Sequence, residues 1–147
     1  MLEKIMTKNI IVGNINDNIP KICNIMKQYD IGFLPIASKN KIVGVITDRD
    51  IVIKIINNND EKSTISNYMN KEIITIDKNN TIEEVLNIMG EKKIKRILIT
   101  DKKKIIGIIS ISDLLGQSKN ILNTIEKIFK IGPNKHHYET EIDEFYL

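Results

Sequence analysis

The chain repeats itself. Shifting its 147 residues by 63 aligns residues 6–51 with 69–114, without a gap and with 17 identities. Matched pairs include Met6/Met69, Ile10/Ile73, Met26/Met89, Lys41/Lys104, Gly44/Gly107 and Asp50/Asp113. A composition rich in isoleucine, asparagine and lysine inflates some matches, but it does not easily bring Gly, Met and Asp into register together. A unit of this size buries too little surface to stand alone. Two copies must therefore share one packed body.

Each copy carries the same pattern of elements. A short apolar run opens it, Ile10-Ile11-Val12 or Ile73-Ile74-Thr75. A polar turn follows. Apolar residues then recur at helical spacing: Ile19, Ile22, Cys23 and Met26, or Ile82, Val85, Leu86 and Met89. Thr81 with Glu84 three residues on predicts a helix N-cap. Two strands are predicted near 33–37 and 41–46, and again near 97–100 and 104–109, joined by polar turns. A helix is predicted over about 48–56 and again over about 111–115. Each copy thus reads β-α-β-β-α. The fold class is α+β, with the two repeats packed sheet to sheet around a pseudo-twofold axis. The boundaries are 1–57 for the first unit and 64–116 for the second, with a polar linker between. An amphipathic helix over 119–131 and an acidic tail over 132–147 follow. Gly44 and Gly107 read as places where a strand passes the other copy closely. Pro35 reads as limiting pairing at a sheet edge.

Composition narrows the function classes. Aromatic residues make up 5% and tryptophan is absent, so the core is aliphatic. The net charge of +3 divides into −3 over residues 134–147 and +6 over the rest. That is too little to point to nucleic acid, and scattered lysines without aromatics give bases nothing to stack on. A small anionic ligand fits better. No apolar run approaches the ~20 residues of a membrane span, and residues 1–6 do not read as a signal peptide. A single cysteine, Cys23, forms no internal disulfide and sits on an apolar helix face. These features predict a cytoplasmic protein. There is no Walker A, G-x-G-x-x-G or H-E-x-x-H motif and no nucleophile elbow, so no enzyme is expected. His136 and His137 lack companions at metal-ligand spacing, and no metal site is expected.

The stretches Lys41-Ile-Val-Gly-Val-Ile-Thr-Asp-Arg-Asp-Ile51 and Lys104-Ile-Ile-Gly-Ile-Ile-Ser-Ile-Ser-Asp-Leu114 resemble the G-h-h-[ST]-x-x-D signature of the CBS domain, where h is apolar. Ile31-Gly-Phe-Leu-Pro-Ile36 resembles the family's strand before it. The resemblance covers about residues 1–116 and is to stand-alone prokaryotic CBS pairs, also called Bateman modules. It implies a non-catalytic sensor that binds AMP, ADP or ATP between the repeats and needs no other cofactor. It further implies a homodimer and a regulated protein as partner. The aspartate would hold the ribose hydroxyls and the Ser or Thr would lie near ribose or phosphate. Carried over, the second repeat supplies Ser110, Ser112 and Asp113, with Lys95 and Arg96 for phosphate. The first supplies Thr47 and Asp50, but Gly32 and Phe33 occupy its basic positions, so Arg49 would have to compensate. Walls for the adenine would come from the opposing copy's first strand, Ile10-Ile11 or Ile73-Ile74.

The same residues admit plainer readings. Thr47–Asp50 and Ser110–Asp113 are also capping boxes. Lys95 and Arg96 also read as a solvated basic patch with Lys92 and Lys93. A structural module with degenerate sites is the alternative function.

Overall fold

The computed structural model describes residues 2–129. Two three-stranded sheets form the body. In the first, β1 (Gly13–Asn14) runs parallel to β2 (Phe33–Ser38), and β2 pairs antiparallel with β3 (Lys41–Thr47). Helix α1 (Ile19–Tyr29) connects β1 to β2. After β3 the chain turns through α2 (Asp48–Asp50), a π-helical stretch (Ile51–Ile55) and a 3-10 turn (Ile56–Asn58). The second sheet repeats this order with β4 (Thr75–Asp77), α3 (Ile82–Lys92), β5 (Arg96–Asp101) and β6 (Lys104–Ser110). Both hairpins carry a register shift at equivalent places, Ile36/Ala37 and Ile99/Thr100. The α+β class and the twofold repetition are therefore as the sequence predicts.

Local chemistry explains where elements begin and end. Asn18 caps α1 by accepting from Lys21 N–H, and Pro20 in the first turn wastes no hydrogen bond. Thr81 and Glu84 form the predicted reciprocal cap on α3. Helices α1 and α3 each stop at a left-handed residue, Asp30 and Lys93. The hairpins close on Lys39-Asn40 and Lys102-Lys103, all four in the left-handed region that two-residue hairpin turns demand.

Three local expectations need correction. The first strand does not lie at Ile10–Val12. That run lies outside the ladder, which begins at Gly13, whose absent side chain lets Ile22, Leu34 and Ile36 close over it. In the second repeat the equivalent strand likewise begins at Thr75 rather than Ile73. The second repeat's final helix is only a 3-10 turn, Ser112–Leu114. Pro35 sits in the central strand, not at an edge. It is tolerated because its partner Val45 directs both backbone groups outward, to Asn70. Pro35 therefore faces β3 at a position without ladder hydrogen bonds, and two-residue β1 does not reach it.

The repeats exchange their opening segments. Thr7 pairs with Ile108 of β6, and Asn70 pairs with Val45 of β3. These contacts are equivalent under the 63-residue shift. Leu2 and Met6 are buried in the second repeat's core with Leu86, Met89, Ile97 and Ile109. Ile65 and Met69 are buried in the first repeat's core with Ile22, Leu34, Ile36 and Ile46. Gly44 and Gly107 mark the crossings, since an added Cβ would stand 2.6 Å from Met69 Sδ in one and collide with Met6 Sδ in the other. The close-pass reading of both glycines is thus met. Met26 and Met89 are core residues as well, and Cys23 packs half-buried against the first core. Burial pushes the Cys23 thiol above its usual range, opposite to what a reactive cysteine needs.

Helix α4 (Ile121–Phe129) lies along α3, with Thr124 Oγ1 donating to Leu86 O at 3.5 Å and Lys127 against Gly90. The predicted amphipathic helix therefore packs on the body. Its last two predicted residues, the acidic tail and His136-His137 lie outside the described residues. Among the described residues no helix is long and apolar enough to cross a membrane, and no group of three His, Cys, Asp or Glu side chains converges as a metal site.

Three carboxylates at element starts are held below the usual carboxylate range. Burial pushes Asp17 and Asp50 up, but hydrogen bonds and charge from Lys21 and Lys54 outweigh it. The Thr81 N–H, then the Asn80 and Thr81 side chains, lower Glu84. A carboxylate depressed in the folded state stabilises above its unfolded pKa, about 4, and that contribution is lost as pH falls through the folded value. The urea midpoint should stay level between about pH 7 and 5 and fall below about pH 4. Asp50→Asn should flatten part of that fall; an unchanged acid limb would rule Asp50 out as a contributor.

Candidate functional site

The two [ST]-x-x-D turns fold alike. Thr47 N–H and Oγ1–H both donate to Asp50 Oδ2, at 3.1 and 2.8 Å, and Asp50 N–H returns a bond to Thr47 Oγ1. Ser110 N–H and Oγ–H donate to Asp113 Oδ2, at 2.8 and 2.6 Å, and Asp113 N–H returns a longer bond of 3.3 Å. The capping bonds therefore form in both, as a complete box at the helical turn after Thr47 and, in the second repeat, ahead of a 3-10 turn whose N-cap position is Ile111. Their second carboxylate oxygens differ. Asp50 Oδ1 is taken by Lys54 Nζ at 2.8 Å. The equivalent of Lys54 in the second repeat is Gln117, and both Ser110 bonds to Asp113 go to Oδ2. Asp113 thus directs one carboxylate oxygen away from its cap.

Ser110 and Asp113 open into a cleft of about 240 Å³ between the repeats. The first repeat contributes Thr7, Asn9, Ile10, Ile11, Ile31, Phe33 and Pro35, and the second contributes Arg96, Ile108, Ser110 and Asp113. The Arg96 guanidinium carbon lies 5.9 Å from the centre of the Phe33 ring. That is within cation–π range. Phe33 and Arg96 are equivalent positions under the repeat, so they meet near its axis. A carboxylate oxygen, a serine hydroxyl, a guanidinium on an aromatic face and an isoleucine wall thus share one seam. Such a set can accept bonds from vicinal hydroxyls, donate to an anion in a bidentate fork and enclose a flat apolar group.

The CBS-domain family profile matches residues 2–57 and 65–120. The chain belongs to the CBS-domain family. Among curated relatives, the CBS domain-containing protein YhcV of Bacillus subtilis is 27% identical, over 74% of this chain and 79% of its own length. Hypoxic response protein 1 of Mycobacterium tuberculosis is 28% identical, over 75% of this chain and 79% of its own. Among solved structures, the CBS domain pair of protein MJ0100, in complex with 5-methylthioadenosine and S-adenosyl-L-methionine, is 26% identical with a TM-score of 0.71. It covers 80% of this chain and 98% of that one. CBS pairs are regulatory modules, and some bind adenosine compounds.

Within this CBS pair, Ser110, Asp113, Arg96, Ile10 and Ile11 line one cleft together. Ser112 stands just outside it, its Oγ 2.7 Å from Ser110 Oγ. Lys95 is exposed and does not line it; its carbonyl accepts from Ile111 N–H at 2.8 Å. Thr47, Asp50, Ile73 and Ile74 are absent from this lining. Ile74 packs partly into the second core. Arg49 is exposed beside its neighbour Asp48, whose Oδ1 accepts Arg49 N–H at 2.7 Å, and it does not reach this cleft.

Thr7, Asn9, Ile31, Phe33, Pro35 and Ile108 are lining residues that sequence reasoning did not single out as a site. Phe33 was legible in part. It stands where the second repeat has Arg96, which reads as a missing base until the axis brings the two side chains together.

Proposed function

We propose that this CBS pair is a non-catalytic sensor that binds an adenine nucleotide, AMP, ADP or ATP, in the Ser110–Asp113 cleft. The observation that carries the reading is Asp113, whose second carboxylate oxygen stands outside its capping bonds in a seam lined by both repeats. Asp113 would accept the ribose hydroxyls, Arg96 would clamp phosphate, and Ile10 and Ile11 would flank the base. The MJ0100 pair, solved with two adenosine compounds, supports the ligand class. Residues 1–57 and 64–116 act as the two units, and a ligand touching both favours one mutual orientation that a regulated protein reads. Asp50, held by Lys54, gives the opposite seam a weaker claim.

The cleft volume bears on mechanism. About 240 Å³ is below the ~300 Å³ where ligand pockets generally begin. Entry of a nucleotide would then widen the seam, and that movement is the signal. The same tightness favours a second reading, a structural module whose cleft stays empty. Titration calorimetry with AMP, ADP, ATP and S-adenosylmethionine separates them. The sensor reading expects heat with at least one nucleotide, and silence with all four would leave the structural module.

Phosphorylated adenosines should bind at least tenfold tighter than S-adenosylmethionine, because Arg96 offers a fork to phosphate and repels a sulfonium. Tighter binding of the sulfonium compound would overturn Arg96 as a phosphate ligand. The chain should act as a homodimer within the cytoplasm. Val52, Ile53 and Ile56 are 61, 48 and 46% exposed after α2, an apolar face suited to a second copy. Sedimentation should show a dimer that Ile53→Glu dissociates.

A further inference from the structure

A second cleft, which shares only Ile10 with the nucleotide cleft, concentrates positive charge. The hairpin turns of the two repeats converge on an open cleft of about 800 Å³. Lys8, Lys41, Lys103 and Lys104 rim it, all exposed, and among the described residues none of the four is in an ion pair. Its floor is apolar, with Ile42 and Ile105 at equivalent positions of the two repeats and Val12 40% exposed beside them. No carboxylate lines it. A small inorganic anion would leave that floor wet. The matching occupant carries several acids interleaved with large apolar groups.

The chain contains such a segment. Residues 139–147 read Glu-Thr-Glu-Ile-Asp-Glu-Phe-Tyr-Leu, with four acids and no base. We propose that this segment seats on the lysine-rimmed cleft of its own chain, with Glu139, Glu141, Asp143 and Glu144 at the lysines and Ile142 and Phe145 toward the floor. Reach allows it. Helix α4 runs alongside α3 in the same direction, since Ser118 meets Glu83 and Lys127 meets Gly90. It therefore ends toward the Arg96–Ser110 end of the sheet. The cleft lies at the other end of β6, seven residues away, or about 23 Å. Residues 130–138 span roughly 30 Å when extended. The nucleotide cleft is the poorer seat, because it offers one guanidinium and sets Asp113 against an incoming acid. Both repeats contribute to the lysine cleft, so a seated segment would tie their orientations together.

Zero-length carbodiimide coupling of the full chain, followed by peptide mapping, tests this directly and without any nucleotide. Most links from Glu139, Glu141, Asp143 and Glu144 should fall on Lys8, Lys41, Lys103 and Lys104. In the Lys41→Glu/Lys104→Glu double variant, links at the remaining Lys8 and Lys103 should drop at least fivefold. In 1 M salt, where charges are screened beyond about 3 Å, they should drop similarly. Links spread over all the lysines, links concentrated at Lys92, Lys93 and Lys95, or no links from the segment would each overturn the proposal. An equal mixture of isotope-labelled and unlabelled chains assigns the segment to its own copy. Mixed-isotope links would overturn that assignment.

Discussion

Asp113→Ala should raise the Kd for the preferred adenine nucleotide 10- to 100-fold in titration calorimetry. Hydrogen bonds to a charged group contribute about 1.5–3 kcal/mol net, and each 1.4 kcal/mol is tenfold in affinity. The same substitution removes the cap that Ser110 shares with Asp113. Losing a cap costs about 1 kcal/mol, a few degrees in Tm for a chain of this size. The two roles therefore separate by magnitude, with affinity falling far more than stability. Asp50→Ala provides the internal control. It breaks an equivalent cap and the Lys54 ion pair, so it should cost at least as much stability. It should leave Kd within about twofold if the ligand occupies the Ser110–Asp113 seam. Wild-type affinity in Asp113→Ala would remove the site assignment. A large loss in Asp50→Ala alone would move the ligand to the opposite seam.

Elements that depend on local pattern were legible in the sequence, and those that depend on the partner repeat were less so. The two long helices follow from apolar spacing and caps, and Thr81 with Glu84 behaves as its residue types demand. The hairpins follow from polar pairs between β-branched runs. The first repeat's opening strand lies later than its pattern predicts because Ile10 and Ile11 are apolar for another reason, whereas in the second repeat Ile74 O accepts from Leu98 N–H at 3.4 Å just ahead of the ladder. Ile10 and Ile11 face a seam, not a ladder, and apolarity alone does not distinguish the two. Pro35 was misjudged because an edge is the usual refuge for a residue without an N–H. Here a position without ladder bonds serves the same purpose inside the sheet. The exchange of opening segments was beyond pattern reading, since it places Met6 in the core of the repeat that begins some 60 residues later.

That unevenness also applies to the candidate site. Ser110 and Asp113 are visible as a motif, and a motif contributes both a cap and a surface carboxylate. Phe33 is visible only as a departure from its counterpart Arg96. In the folded pair the departure has a physical role: a second arginine at the axis would repel Arg96, whereas an aromatic ring attracts it. Arginine in both copies would have placed like charges together on the axis. The asymmetry in the sequence therefore marks where the two halves touch, and it favours one seam over its twin.

Gly44→Val should destabilise the protein by about 3 kcal/mol, lowering Tm by roughly 6–12 °C. A Cβ at position 44 would stand 2.6 Å from Met69 Sδ and 2.9 Å from Asn70 O. Methionine can swing aside, but the Asn70 carbonyl cannot, because it accepts from Val45 N–H at 2.9 Å in the crossing that joins the repeats. The strain therefore falls on the exchange of opening segments and not on one repeat alone. Differential scanning calorimetry should show a single transition at lower temperature, because each core contains residues from both halves. Two separated transitions would mean that the halves unfold independently and that the exchange contributes little. Met69→Ala supplies the coupling test. Alone it should cost about 2–5 kcal/mol by leaving a cavity. Combined with Gly44→Val it should cost less than the sum of the two, since the new side chain enters the vacated space. Strict additivity would show that the position 44 side chain and Met69 do not meet, and that Gly44 is required for some reason other than the crossing.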